Sequence, residues 1–425
     1  MLRAIDEVHE DSSFGGKVSV SRYVARPARG KRRRPWSRSI FGLVAAVLAC
    51  CPATGLRAQN ISTVPAPERA APAPVQVVAS FTERPTGVAV SKSGRVFVCF
   101  PNWSATHTNS VVELKPGKEP VPYPNAVWNL QGSPSIDPAH RFVCVQSVYA
   151  DADDKLWVLD PAAPNLGAIV PGGAKLLEID LKSNTVQRVY AFDPAAAPDR
   201  SYLNDVRVDT VRRFAYISDS GLGAILVVDL RTGNTRRVLN QVPETLGTHG
   251  IVITVDGNEL QQSSGLAFTI NCDGIALDPM SNTLYFEAPT NGNLYAIATA
   301  DLRDASLDDA ALAKRIKFVA NIGPADGFST GPDGNLYVTD VEGHAIRRVN
   351  IGETPLLTVV VNDPGLIWPD SMAWSSDGAL YITASQIGRM ARFNGGQDLA
   401  ALPYHLFRSQ PLAPVQPDLV TPPPP

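Results

Sequence analysis

Six segments of the chain can be set under one another, and this repeat restricts the fold more than any other feature. They are residues 87–100 (GVAVSKSGRVFVCF), 147–160 (SVYADADDKLWVLD), 205–219 (DVRVDTVRRFAYISD), 274–288 (GIALDPMSNTLYFEA), 327–340 (GFSTGPDGNLYVTD) and 371–384 (SMAWSSDGALYITA). Each has apolar residues at alternate positions, a short polar turn, and a second alternating run, the pattern of a half-buried hairpin. The first apolar positions, Val88, Val148, Val206, Ile275, Phe328 and Met372, lie 44 to 69 residues apart. That spacing leaves room for further strands in every unit.

A third strand is predicted at 111–114, 176–181, 225–230, 294–298, 345–349 and 389–393, and a fourth at 186–192, 236–239 and 356–361. Six units of four antiparallel strands, with turn signals throughout, describe an all-β fold: a six-bladed β-propeller. Closure removes open sheet edges, and 75–81 (VQVVASF) is the strand expected to complete the last blade. Solenoid repeats are shorter and more regular. Between the fourth and fifth units, 301–315 (DLRDASLDDAALAKR) has a helix-forming composition and is expected as one surface helix.

The propeller is expected to span 75–410, after a basic N-region and signal peptide (1–58) and a Pro/Ala-rich linker (59–74). A Pro-rich tail expected to be disordered (411–425) follows. Within 1–58, a basic stretch at 29–38 precedes an apolar stretch at 39–51 that is too short to span a bilayer comfortably. Leu56-Arg57-Ala58 follows, so cleavage after Ala58 is predicted, giving a secreted or periplasmic monomer with no transmembrane anchor. Lipoprotein anchoring at Cys50 ranks second, and Arg32-Arg33-Arg34 permits twin-arginine export. Cys99, Cys144 and Cys272 would remain, enough for one disulfide at most. Cys99 and Cys144 sit in apolar runs and read as small buried hydrophobes. A net charge of −3 gives no reason to expect nucleic acid or an acidic membrane surface as partner.

In such a ring the first strand of each blade lines the channel. Two positions before each first apolar residue stand Thr86, Gln146, Asn204, Asp273, Asp326 and Asp370. All are polar, and Glu83 adds a further carboxylate at the head of the first blade. Converging carboxylates repel unless a proton or cation intervenes, and oxygen ligands suit Ca²⁺. The same residues serve equally as hydrogen-bonding groups of a wet channel, with Asp273-Gly274 and Asp326-Gly327 as turn pairs. Trp103, Trp128, Trp368 and Phe328 are candidates for an aromatic pocket wall. His107 is a candidate general base or ligand contact, or a loop histidine held by local hydrogen bonds.

Residues 84–100, 101–112 (PNWSATHTNSVV), 121–128 (VPYPNAVW), 156–161 (LWVLDP), 202–209 (YLNDVRVD), 273–279 (DGIALDP), 368–371 (WPDS) and 404–408 (YHLFR) resemble the major royal jelly protein/Yellow family. The resemblance runs from about Val75 to Phe407 and implies a secreted six-bladed propeller. The family includes insect pigmentation proteins, nutritive proteins, salivary proteins that bind biogenic amines, and bacterial relatives.

A more distant similarity is to the gluconolactonase/regucalcin propellers, which hold a divalent cation in the channel. Matched by blade, it implies Glu83, Asn204, Asp273 and Asp326 as metal ligands, with Asp326 as general base. Asp273 stands where that group has Asn, with Asn271 nearby.

Three functions follow as alternatives. The first is a binding propeller that takes a small organic ligand at Gln146, Asn204, Asp370, Trp103 and Phe328. The second is a Ca²⁺-dependent lactone or ester hydrolase, whose metal would polarise a carbonyl and acidify a water. The third is a structural or protein-binding propeller.

Overall fold

The computed structural model describes residues 71–130, 135–248, 250–261, 265 and 267–412. The predicted signal peptide and residues 413–425 of the tail lie outside them. Six four-stranded antiparallel sheets are present, with inner strands Gly87–Val90, Ser147–Ala150, Leu203–Asp209, Ile275–Asp278, Phe328–Thr330 and Pro369–Trp374. These inner strands neighbour one another in cyclic order, the sixth against the first. Val75–Phe81 pairs antiparallel with Tyr404–Ser409 as the outer strand of the sixth sheet.

The core is distributed between blades. One apolar cluster joins the first and second blades through Phe97, Val148 and Leu177, and another joins the second and third through Leu159, Val206 and Leu226. The series continues around to the contact of the sixth blade with the first at Leu406, Val88 and Val98. Because each sheet is covered on both faces, middle strands such as Val96–Cys99 are buried at every position. The half-buried alternation expected of these hairpins therefore holds only in part. Burying one such side chain contributes roughly 1.5–3 kcal/mol.

Two expectations are corrected. Residues 389–393 are not the third strand of the sixth blade: Ile387–Arg389 and Ala391–Phe393 are single turns of 3₁₀ helix, and the third strand is Tyr404–Ser409. The 301–315 segment is not one surface helix. It forms two short helices, Thr299–Arg303 and Asp309–Ala313, whose Leu302 and Leu312 are buried in the cluster between the third and fourth blades.

The connection after the third blade carries a small hairpin, Thr254–Val255 with Asn258–Glu259. Asp256 in its turn accepts from Arg389 (2.7 Å) and pairs with His344 (3.0 Å). Val255 and Leu260 pack with Trp368, Ile387 and Phe393 to build a rim at the channel mouth. Cys99, Cys144 and Cys272 are buried free thiols.

Candidate functional site at the channel mouth

The polar position at the head of each inner strand is shaped by a local irregularity. In the third blade Leu203 pairs with Asp219 and Val206 with Ile217, so Asn204 and Asp205 together oppose one residue. In the sixth blade Asp370 and Ser371 sit in the same way between the pairs Pro369/Ala384 and Met372/Ile382. Such bulges bend a strand and redirect its side chains. A hydroxyl on the facing strand meets the freed N–H: Ser218 accepts from Asp205 N (3.0 Å) and Thr383 from Ser371 N (3.0 Å). In the fifth blade, Thr339 accepts from Asp326 N (2.8 Å) in the same way.

Gly274 and Gly327 are explained by close approach rather than by turns. A Cβ on Gly274 would lie 2.3 Å from the Asp326 carbonyl oxygen, and one on Gly327 would lie 2.1 Å from that of Asp370. The glycine lets the next blade's polar residue come in against the strand. The turn reading of these Asp-Gly pairs is thereby replaced.

Five of the six polar residues, Gln146, Asn204, Asp273, Asp326 and Asp370, line one cavity of about 540 Å³, and Trp103, Tyr202, Phe268, Trp368 and Phe393 supply its aromatic surface. Thr86 is buried and gives its hydroxyl hydrogen to the Gln146 carbonyl (2.8 Å). On one wall the side chains form a directed series. Trp103 Nε1 donates to Tyr202 Oη (3.1 Å), which donates to Gln146 Oε1 (2.8 Å). Gln146 Nε2 then donates to Asn204 Oδ1 (3.2 Å), and Asn204 Nδ2 to Ser220 Oγ (3.1 Å). Asn204 Oδ1 thus accepts from Gln146 within the wall.

The other wall and the floor are acidic. Trp368, in the left-handed region at φ 54°, donates its indole N–H to Asp326 Oδ2 (2.5 Å). That backbone conformation is costly for a bulky residue. The hydrogen bond and the burial of the ring hold it. Asp370 is 3% exposed, and its Oδ2 has no hydrogen-bond partner.

Burial pushes the Asp273 carboxyl well above its ordinary value, with Asp326, Asp205, Asp370 and Glu287 adding repulsion. Burial and then Asp326 push Asp370 the same way, against Ser385 and Arg84. Asp326 is raised by burial to about 7, opposed by the Trp368 hydrogen bond and reinforced by Asp205. Behind them the carboxyl of Glu287 is fully buried without a partner, and burial holds it well above its usual range. Asp205 faces the opposite end of the channel. There Arg207 donates to Asp205 Oδ2 (3.2 Å) and to the Phe328 carbonyl (2.6 Å), beside a second cavity of about 190 Å³.

The remaining sequence candidates lie elsewhere. Glu83 does not line the cavity. It is taken by a loop 24 residues on: Oε2 meets His107 Nδ1 at 2.5 Å, and Oε1 accepts from Thr108 N (3.1 Å) and the Thr108 hydroxyl. Burial pushes its carboxyl up, but these partners outweigh burial and hold it below the ordinary value. His107 Nε2 meets Ser110 Oγ (3.1 Å). Carboxylate, imidazole and hydroxyl stand in the order of a nucleophilic triad, yet Ser110 is 0% exposed, so no substrate reaches it. The cluster fastens the first-blade loop, and His107 is not a base for the cavity.

Phe328 is also outside the cavity, buried between the fourth and fifth blades, and Trp128 packs on Phe142 (5.3 Å). Of the four residues expected as metal ligands, Asn204, Asp273 and Asp326 line the cavity and Glu83 does not. Among the described residues no group of three or more His, Cys, Asp and Glu is placed to hold a metal ion. Glu83→Gln (E83Q) is expected to lower stability in urea denaturation by about 1–3 kcal/mol. Its effect on ligand affinity at the cavity, which Glu83 does not line, should stay within about twofold. A large loss of affinity would return Glu83 to the site.

A closed ring of six blades, with an acidic floor and aromatic walls at one end of its channel, defines a propeller with a ligand-sized mouth. Residues 143–398 match the family model for the major royal jelly protein, and the chain belongs to that family. No curated protein matches the sequence.

Solved structures with a similar fold include the calcium-binding protein regucalcin from Agrobacterium tumefaciens, with 12% identity over 81% of this chain and 96% of that one and a TM-score of 0.48. A gluconolactonase from Xanthomonas campestris shares 12% identity over 80% of this chain and 89% of its own, with a TM-score of 0.46. For virginiamycin B lyase from Staphylococcus aureus the values are 16%, 73%, 81% and 0.42. These likenesses carry nothing about chemistry.

Proposed function

We propose that this propeller binds a small organic cation, an amine on an apolar or aromatic body, in the cavity at its channel mouth. The observation that carries the reading is the Asp370 carboxylate, buried in the cavity lining with one oxygen unpartnered, beside Asp273 and Asp326. Buried carboxylates that repel one another hold protons until a cation arrives. An ammonium brings the opposite charge and three donors. The rings of Trp103, Tyr202 and Trp368 offer faces to a cation or to an aromatic body. Amine binding by salivary members of the family agrees with this.

The hydrolase reading is less well supported, because Glu83, one of its four ligands, is engaged with His107 and does not line the cavity.

Titration calorimetry at pH 8 with 2-phenylethylamine and its neutral isostere 2-phenylethanol tests the proposal, with Ca²⁺ and chelator in separate runs. The amine is expected to bind at least ~10-fold tighter than the alcohol, with or without chelator. Equal affinity for the two, or amine binding that requires Ca²⁺, would overturn it.

A further inference from the structure

The cavity carries opposite charges on different parts of its lining. The aspartates lie at the heads of inner strands, whereas Arg392 and Arg200, exposed, line the same cavity from loops. Arg392 sits on the 3₁₀ turn Ala391–Phe393, its guanidinium over the rings of Phe268 (5.4 Å) and Phe393 (5.2 Å). Stacking leaves the edge of a guanidinium, with its N–H donors, free for an anion. The arginines elsewhere around the mouth are spoken for: Arg389 pairs with Asp256, Arg84 with the Ser385 carbonyl and Asp398. Among the described residues Arg392 forms no salt bridge, and its guanidinium is held by the two rings.

Asp326, Asp370, Tyr202 and Arg392 line this one cavity of about 540 Å³, so a ligand that fills it meets both charges.

We infer that the ligand is a zwitterion of the amino-acid class, its ammonium on Asp370 and Asp326 and its carboxylate on Arg392, with an aromatic or apolar body against Trp103 and Trp368. The inference rests on the proposed cation site and adds the anion subsite at the rim. A plain amine satisfies the floor and leaves Arg392 unused. An amino acid satisfies both, and because its opposite charges are fixed by covalent structure, the second contact comes with little extra loss of freedom.

The test compares phenylalanine, 2-phenylethylamine and 3-phenylpropionate by calorimetry at pH 8 on the wild-type chain, R392Q and R392K. Wild type is expected to prefer phenylalanine over 2-phenylethylamine by about tenfold and to bind 3-phenylpropionate weakest. R392Q should bring the ratio of the first two close to one, and R392K, which keeps the charge without the fork, should fall between. Thermal melts of both variants separate lost folding from lost recognition, and a ratio of affinities does not move when a purely structural side chain is changed.

Amine and amino acid binding alike to wild type, with the ratio unmoved in R392Q, overturns the anion subsite and leaves the cation site standing. Failure of both to bind removes the cation site itself.

Discussion

Asp370→Asn (D370N) will make the empty protein more stable at pH 8 than the wild type and weaken its hold on 2-phenylethylamine by roughly 30- to 100-fold. Both effects have one cause. Asp370 is buried with an unpartnered oxygen and lies within electrostatic reach of Asp326 and Asp205. A buried charge without its counter-charge is costly, and burial raises the carboxyl well above its ordinary value. An aspartate raised in this way keeps its proton in the folded state and loses it more readily when unfolded.

Folding is accordingly favoured in acid, and the advantage is given up as pH rises from about 4 through the raised value. Asparagine removes the titration and turns an acceptor beside carboxylates into a donor. The gain should be about 1–3 kcal/mol, seen in urea denaturation at pH 8 and shrinking at pH 5. D370N that is less stable at pH 8, or that binds the amine as tightly as wild type, would contradict the role given to Asp370.

The second large effect concerns Asp219, which supports the wall opposite the acidic floor. Its Oδ1 accepts from the backbone N–H groups of Tyr202 (2.8 Å), Gly221 (3.0 Å) and Leu222 (3.2 Å). Its Oδ2 takes the Ser201 hydroxyl and pairs with Arg237 at 2.7 Å. Asp219 is 0% exposed, so water does not replace it. Asp219→Ala leaves the Arg237 charge without its counter-charge and the Tyr202 amide without its acceptor, and breaking a buried pair from one side costs about 3–5 kcal/mol.

Ser201, Tyr202, Ser220 and Gly221 line the cavity, so ligand affinity should fall with stability. Asp219→Asn keeps Oδ1 as the acceptor for the amides but sets an NH2 donor where Oδ2 meets Arg237 and Ser201. It should cost about half as much as the alanine variant, and a D219A midpoint in urea close to wild type would refute the assignment.

Much of the ring was legible because strand periodicity is a local property. A residue two positions ahead of a strand's first apolar side chain must fall at the channel mouth once six such strands stand in a circle, and five of the six so chosen line the cavity. The column of hydroxyls facing the heads of the inner strands, Ser218, Thr339 and Thr383, was also available in the aligned repeats, though without the backbone N–H groups it meets it had no meaning. Residues 389–393 alternate like a strand but form turns, and Met390, Arg392 and Phe393 line the cavity from them. The strand Tyr404–Ser409 that completes the sheet carried its signal later in the sequence.

The surroundings of Glu83 were not legible for a different reason. Its partners His107 and Thr108 come from a loop whose path no periodicity reveals. Tyr202, Phe268 and Arg392 reach the cavity from irregular segments, where composition says nothing about direction. The charge separation across the mouth therefore appears only in three dimensions.

The central claim is that buried carboxylates give up their protons to receive a cation, and proton linkage tests it most directly. Calorimetric titration of the wild-type chain with 2-phenylethylamine between pH 5.5 and 8.5 reads it out, since the amine stays charged throughout. Asp326 is held at about 7, and Asp273 and Asp370 are raised well above their ordinary value, so affinity should rise with pH across the range, by up to roughly tenfold per pH unit for each proton released. Affinity that is level across the whole range, or that falls as pH rises, would contradict the claim.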